Sequence, residues 1–318
     1  MKAQNEYRPS MFHGLWALTT RELKKWLKEP IILLMAVLQP IIWMGFFGKA
    51  MNLNAMFSAE NLGNINMPNI QIPGYLANPP VNGVIVIPDA VLSQQLQETF
   101  SSIGSNVIQS IFGVADYFSY MSVGMISMIV MFTTMFSGMS IVWDRRLGFL
   151  DKVLSTPVSR AAIILSKVLN AALRAMFQAT IILALAVVFG LHLSPTFSPL
   201  NLLGVYAAIF LLSTGLSSLF LAVALRSTRQ ETQMAIVNLI NMPLMFASNT
   251  LTPISMMPEF IQVIARVNPV SYLTDAVRQL TILPLNTSTL LIDFIYLGVF
   301  ASVLSSIGIV LSWRYLTK

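Results

Sequence analysis

Residues 117–160 read YFSYMSVGMISMIVMFTTMFSGMSIVWDRRLGFLDKVLSTPVSR. Through Val142 this stretch holds no charged side chain, and its length exceeds the roughly 20 apolar residues a helix needs to cross the hydrocarbon of a bilayer. Then Asp144, Arg145, Arg146, Asp151, Lys152 and Arg160 crowd into 143–160. The stretch therefore predicts a transmembrane helix that ends in a compact, charged, amphipathic island on one aqueous side.

Five further apolar runs lie outward from it, at about 31–48, 165–190, 200–225, 234–254 and 290–313. Only 10% of the 318 residues are charged and 55% are hydrophobic, where a soluble domain carries about a quarter charged residues; the mean hydropathy is +0.71. These runs predict an all-α integral membrane protein with six transmembrane helices. Residues 1–30 form a cytoplasmic tail and surface helix, and residues 31–318 form one membrane domain.

Orientation follows from Lys and Arg, which are retained in short cytoplasmic loops. Sixteen of the nineteen basic residues fall before the first run, in and just after the island, after the fourth run, or at the C-terminus, whereas 50–113 holds only neutral and acidic residues. Both termini and the island are expected in the cytoplasm, and the segment 50–113 outside. Topology accounts for the net charge of +6, so nucleic acid is not an expected partner. About thirty residues precede the first apolar run with no small-residue cleavage site after it, so no cleavable signal peptide is expected.

Within 11–29, Phe12, Leu15, Trp16, Thr19, Leu23, Trp26 and Leu27 share one helical arc, while Arg21, Lys24, Lys25 and Lys28 take the other. This is the pattern of an interfacial helix with Trp at the headgroups, ended by Pro30. In 89–112, Leu92, Leu96, Phe100, Ile103, Val107 and Ile111 recur at spacings of 3 and 4, which predicts an outer amphipathic helix. After the fifth run, Pro258 and Pro269 each suit a helix start. The stretches they open, about 258–267 and 269–283, are too short to span and predict a re-entrant hairpin within 255–284. Asp275 and Arg278 stand three apart on the second of these, close enough to pair.

Catalytic and metal-binding chemistry has little to build on. The chain has no cysteine and two histidines, His13 and His192, and Gly45–Lys49 lacks the spacing of a phosphate loop. Any ATP must be bound by another chain. Asp116 and Asp293 sit near outer span ends, Arg174 sits one turn into the third span, and no carboxylate falls mid-membrane. Soft apolar residues and amides gather in the second and fifth spans, at Met128, Phe132, Asn238, Asn241, Met242, Met245, Phe246, Asn249 and Thr250, with Pro243 as a kink. Helix packing or a path for amphiphilic cargo would both use them.

Three stretches together resemble the membrane subunits of type-2 ABC exporters, particularly the daunorubicin-resistance-like permeases. They are Arg21-Glu22-Leu23 through Glu29-Pro30 to Leu38-Gln39-Pro40; the island with its Asp144-Arg145-Arg146-Leu147-Gly148 and Leu154-Ser155-Thr156-Pro157; and Pro253 through Met257-Pro258 to Asn268-Pro269-Val270-Ser271-Tyr272 and Arg278. Arg146 stands where that family carries an acidic residue. The resemblance implies a prokaryotic membrane exporter of hydrophobic or amphiphilic molecules in which the permease, without a cofactor of its own, pairs with a second copy or a related permease. A partner ABC ATPase would hold ATP and Mg. It also implies that 143–160 is a coupling helix, touching the ATPase through Asp144, Arg145, Arg146, Gly148, Phe149, Leu150, Asp151, Lys152, Leu154 and Pro157, and that Pro258, Asn268, Pro269, Tyr272, Asp275 and Arg278 build the hairpin. A secondary transporter or channel, and an intramembrane enzyme or assembly factor, are the alternative readings.

Overall fold

A computed structural model describes residues 11–46, 70–73, 84–226 and 229–316. In chain order the described elements are α1 (Met11–Leu27), α2 (Pro30–Trp43), a ribbon of β1 (Ile70–Pro73) and β2 (Val84–Ile87), α3 (Asp89–Phe112), α4 (Tyr117–Arg146), α5 (Phe149–Leu154), α6 (Arg160–Val188), α7 (Pro199–Arg226), α8 (Gln230–Phe246), α9 (Glu259–Arg266), α10 (Pro269–Thr281) and α11 (Thr287–Leu316). The architecture is helical. The one ribbon is antiparallel, with Ile70 opposite Ile87 and Pro73 opposite Val84, in an outer segment whose residues 50–69 and 74–83 lie outside the described residues.

Among the described residues, four helices are long and apolar enough to cross a membrane: α4, α6, α7 and α11. The first and fifth expected spans are met by shorter helices. Residues 47 and 48 of the first fall outside the described residues, and α2 ends at Trp43. The fifth starts earlier and stops earlier than the apolar run, as α8. Pro243 removes one ladder bond inside α8, and the polar residues after Phe246 form turns.

The organising element is α4. Asp116 caps its N-terminus, accepting from the Ser119 backbone N–H at 2.7 Å, and most of its residues are buried on all sides by α6, α7, α8 and α10. Its methionines Met121, Met125, Met128, Met131, Met135 and Met139 all lie in this interior, so packing has claimed the periodic Met pattern. Helices in lipid gain little from burying apolar surface against one another, and close approach over small residues takes its place. Accordingly Gly138 meets the Phe220 carbonyl of α7, and a Cβ there would stand 2.6 Å from that oxygen. Gly308 of α11 meets Ser218 of α7 in the same way, at 2.7 Å. The opposite side of α11 is exposed along Ile292, Ile295, Val299 and Val303, as a helix at the lipid boundary would be.

The helix α1 packs on α6, and its expected apolar arc divides, part packing on the protein and part staying exposed. Gly14, Thr19, Glu22 and Trp26 turn inward, while Phe12, Trp16 and Leu27 stay exposed. Gly14 allows close contact with Val158, whose Cγ1 lies 3.0 Å from where a Cβ would be. Glu22, an acidic residue among bases, decides the rotation.

Candidate functional site

The island is a turn, a one-and-a-half-turn helix and a second turn. α4 ends at Arg146, and Gly148 takes a left-handed conformation, φ 65°, that a residue with a side chain adopts only at a cost. That single residue reverses the chain into α5. The Ser159 hydroxyl then accepts from the Ala162 N–H at 3.2 Å and opens α6.

The two faces of α5 have different neighbours. Leu150 and Val153 are buried in a small core with Ile141, Val142, Ile164 and Leu225, against which Phe149 and Leu154 are packed. Arg146, Leu147, Asp151, Lys152, Ser155 and Pro157 face outward. Of the residues expected to touch a partner, Arg146, Asp151, Lys152 and Pro157 are exposed. Gly148 shapes the turn, and Leu150 belongs to the chain's own core.

Asp144 and Arg145 are also turned inward, for electrostatic reasons. Lys167 of α6 is 7% exposed, and its ammonium donates to Asp144 of α4 and, at 3.0 Å, to Glu22 of α1. One buried cation thus joins three helices. Arg21 adds to this cluster, pairing with Glu22 at 3.2 Å and standing over the Phe149 ring with 3.5 Å to its centroid. The surface helix accordingly grips α5 directly. Burial works to raise the pKa of Glu22, but Lys167, with Arg21 and Lys25 behind it, outweighs burial and holds it below its ordinary value. Arg145 donates to the Leu225 carbonyl at 2.8 Å, closing the end of α7.

The opposite end of α4 is held by a second cation. Arg278 of α10, 1% exposed, donates to the carbonyls of Tyr120 (3.1 Å), Asn249 (2.8 Å) and Thr250 (2.9 Å), with the Tyr120 ring 3.4 Å from the guanidinium. Asp275 accepts from the Asn249 side chain. The expected Asp275–Arg278 ion pair is therefore absent among the described residues, because each partner serves the loop that follows α8. Residues 247–250 of that loop are buried, and buried carbonyls need donors. The helices of the hairpin, Glu259–Arg266 and Pro269–Thr281, fall where Pro258 and Pro269 placed them. Asn268 caps α10, accepting from the Val270 N–H at 2.9 Å, and donates to the Leu244 and Ala247 carbonyls. Tyr272 stacks on Tyr296 with 3.9 Å between centroids.

The expected path residues divide. Asn249 and Thr250 are absorbed by this outer lock, and Met128 by the core. Asn241 is buried with neither side-chain amide atom satisfied. Asn238, Met242 and Phe246, with Leu239, form an exposed stripe along α8, Met245 is half-buried, and Phe132 lines a cavity described below. Sequence reasoning missed Glu22 and Lys167 as a pair. The available signal was a carboxylate and an ammonium inside otherwise apolar helical faces, a placement that demands partners.

A profile described as ABC-2 type transporter matches residues 89–282, more than half of the chain. A protein of Cyanophora paradoxa named as transport permease ycf38 is 24% identical over 265 residues, covering 83% of this chain and 72% of its own length. Its namesake from Pyropia yezoensis is 25% identical over 280 residues, 86% and 76% of the two chains. A protein of Escherichia coli K12 named as multidrug ABC transporter permease YbhR is 28% identical over 159 residues, 48% and 42% of the two chains.

Proposed function

The chain belongs to the ABC-2 type transporter family, and from that membership we propose that it is the permease subunit of an ATP-driven exporter in a prokaryotic cell membrane. ATP and Mg are bound by a separate ABC ATPase subunit. The cargo is a hydrophobic or amphiphilic molecule, drug-like, lipid-like or glycan-linked. Both termini and α5 face the cytoplasm, where the basic residues gather.

The observation that carries the reading is the two-sided character of α5. Asp151 and Lys152 on its outward face, with Arg146, Leu147 and Pro157 in the segments flanking it, are exposed to a partner, while its back is tied to α4, α6 and α1 by the Leu150–Val153 core and the Arg21–Phe149 contact. A push on that face is passed to three helices at once. Coupling between sites needs one physical element that both bias, and α5 with its clasp meets this requirement. The exposed stripe of α8 supports a path formed between two copies, with Leu239 75% exposed and Met242 and Phe246 beside it.

The test is reconstitution with the cognate ATPase. Asp151→Arg combined with Leu147→Asp should lower cargo-stimulated ATP hydrolysis roughly tenfold or more, the effect of losing an interface hot spot. Thermal stability of the permease should be unchanged, since both side chains point away from its core. Unaltered stimulated hydrolysis in that double variant would sink the assignment of α5.

A further inference from the structure

Between α1, α2, α4 and α6 lies a cavity of about 740 Å³. It exists because α2 rests on α6 and α1 and stands off α4. Its two ends differ in chemistry. One end is apolar, walled by Ile31 and Met35 of α2 and by Phe132 and Phe136 of α4. The other, beside the buried ion cluster, is walled by Lys25, Glu29 and Arg174 as well as by Glu22 and Asp144.

The charges at the polar end can be sorted by whether they are already matched. Glu22 and Asp144 are both engaged by Lys167, and Arg21 balances the remaining charge. Arg174 is matched only in part: its Nε donates to Asn170 at 2.6 Å, its guanidinium stands 5.7 Å from the Trp26 ring, and the Glu22 and Glu29 carboxylates attract it without forming an ion pair to it. Its terminal nitrogens have no hydrogen-bond partner among the described residues. Asn170, 2% exposed, likewise holds an Nδ2 with no partner. Glu29 forms no ion pair among the described residues. What is left open is a planar donor fork suited to an oxyanion such as phosphate, a second cation at the rim, and one carboxylate.

We propose that this cavity binds a membrane phospholipid with a zwitterionic, phosphoethanolamine-class headgroup. The phosphate sits on Arg174 with Lys25 at the rim, the ammonium on Glu29, and an acyl chain runs along Met35, Phe132 and Phe136. A purely anionic head would leave Glu29 facing like charge, and a purely cationic one would face Arg174 and Lys25. The apolar end selects the lipid over its free headgroup. The cytoplasmic leaflet follows from the orientation proposed above; ATP coupling plays no part in the inference.

The experiment uses the full-length permease in nanodiscs of phosphatidylglycerol, doped with phosphatidylethanolamine that carries a photoactivatable acyl chain, and maps labelled peptides by mass spectrometry. Label should concentrate in 31–39 and 129–139. Glu29→Gln and Arg174→Gln should each reduce it roughly tenfold, as expected for losing hydrogen bonds to a charged group. Met35→Trp, which fills the apolar end and leaves every charge in place, should exclude the probe as well, with melting temperature monitored for all three. Unlabelled phosphatidylethanolamine should compete, and free phosphoethanolamine should not. Label spread evenly over lipid-facing helices such as α11, equal labelling by a phosphatidylglycerol probe, or displacement by free phosphoethanolamine would each overturn the proposal. No ATPase is present in the assay, so its failure is separable from failure of the exporter reading.

Discussion

At the scale of single residues, Lys167 matters most, because two carboxylates from different helices share its ammonium. Removing one partner from a buried ionic group strands the others, at about 3–5 kcal/mol. Lys167→Met is therefore expected to lower the melting temperature sharply and to release α1, measurable as faster amide exchange in residues 14–26. The same contact has a pH signature. Because the folded pKa of Glu22 is depressed, its contribution is complete above the ordinary carboxylate value and is lost as pH falls through the lower folded one. Protection of α1 should fade in acid for the natural protein, and much of that pH dependence should vanish in Glu22→Gln. A pH profile identical in both would rule the pair out as the anchor.

At the scale of elements, the outer lock shows what the sequence disclosed and what it hid. Pro258 and Pro269 marked both hairpin helices to within two residues at each end, because a proline imposes its constraint locally. Long apolar runs likewise disclosed α4, α6, α7 and α11. What stayed hidden depended on distant partners: Arg278 satisfies carbonyls of Tyr120, Asn249 and Thr250, and no local pattern announces a carbonyl in need of a donor. The same applies to the rotation of α1, decided by a lysine far along the chain. Gly124 is the counterpart of Arg278, since a Cβ there would stand 2.1 Å from the Thr250 carbonyl oxygen. Arg278→Lys, which replaces a planar fork of two terminal nitrogens with a single one, is expected to lose bonds to a charged group worth roughly 1.5–3 kcal/mol. Gly124→Ala strikes the same junction sterically. Both should increase proteolysis in residues 247–258 while leaving the α1–α6 contact intact, and cleavage unchanged from the natural protein would remove the lock from this account.

At the scale of the whole molecule, the protein is a bundle around α4 with a buried cation towards each end of that helix, and the stripe of α8 is an exposed apolar face. A chain without cysteine makes that face directly testable. Met242→Cys is expected to form a disulfide between two copies under mild oxidation, which requires the paired Cβ atoms to approach within about 4.5 Å; Ile295→Cys on α11 should not. Dimer formation at Ile295 alone would relocate the subunit contact. The Lys167 clasp also imposes an order on manufacture. Glu22 and Lys167 are 145 positions apart, so at about 5–20 residues per second the ribosome has made α1 many seconds before its counter-ion exists. The surface helix is then made early but fastened only after α6 has been made. Nascent chains halted before residue 160 should expose α1 to protease, and chains extended past α6 should protect it.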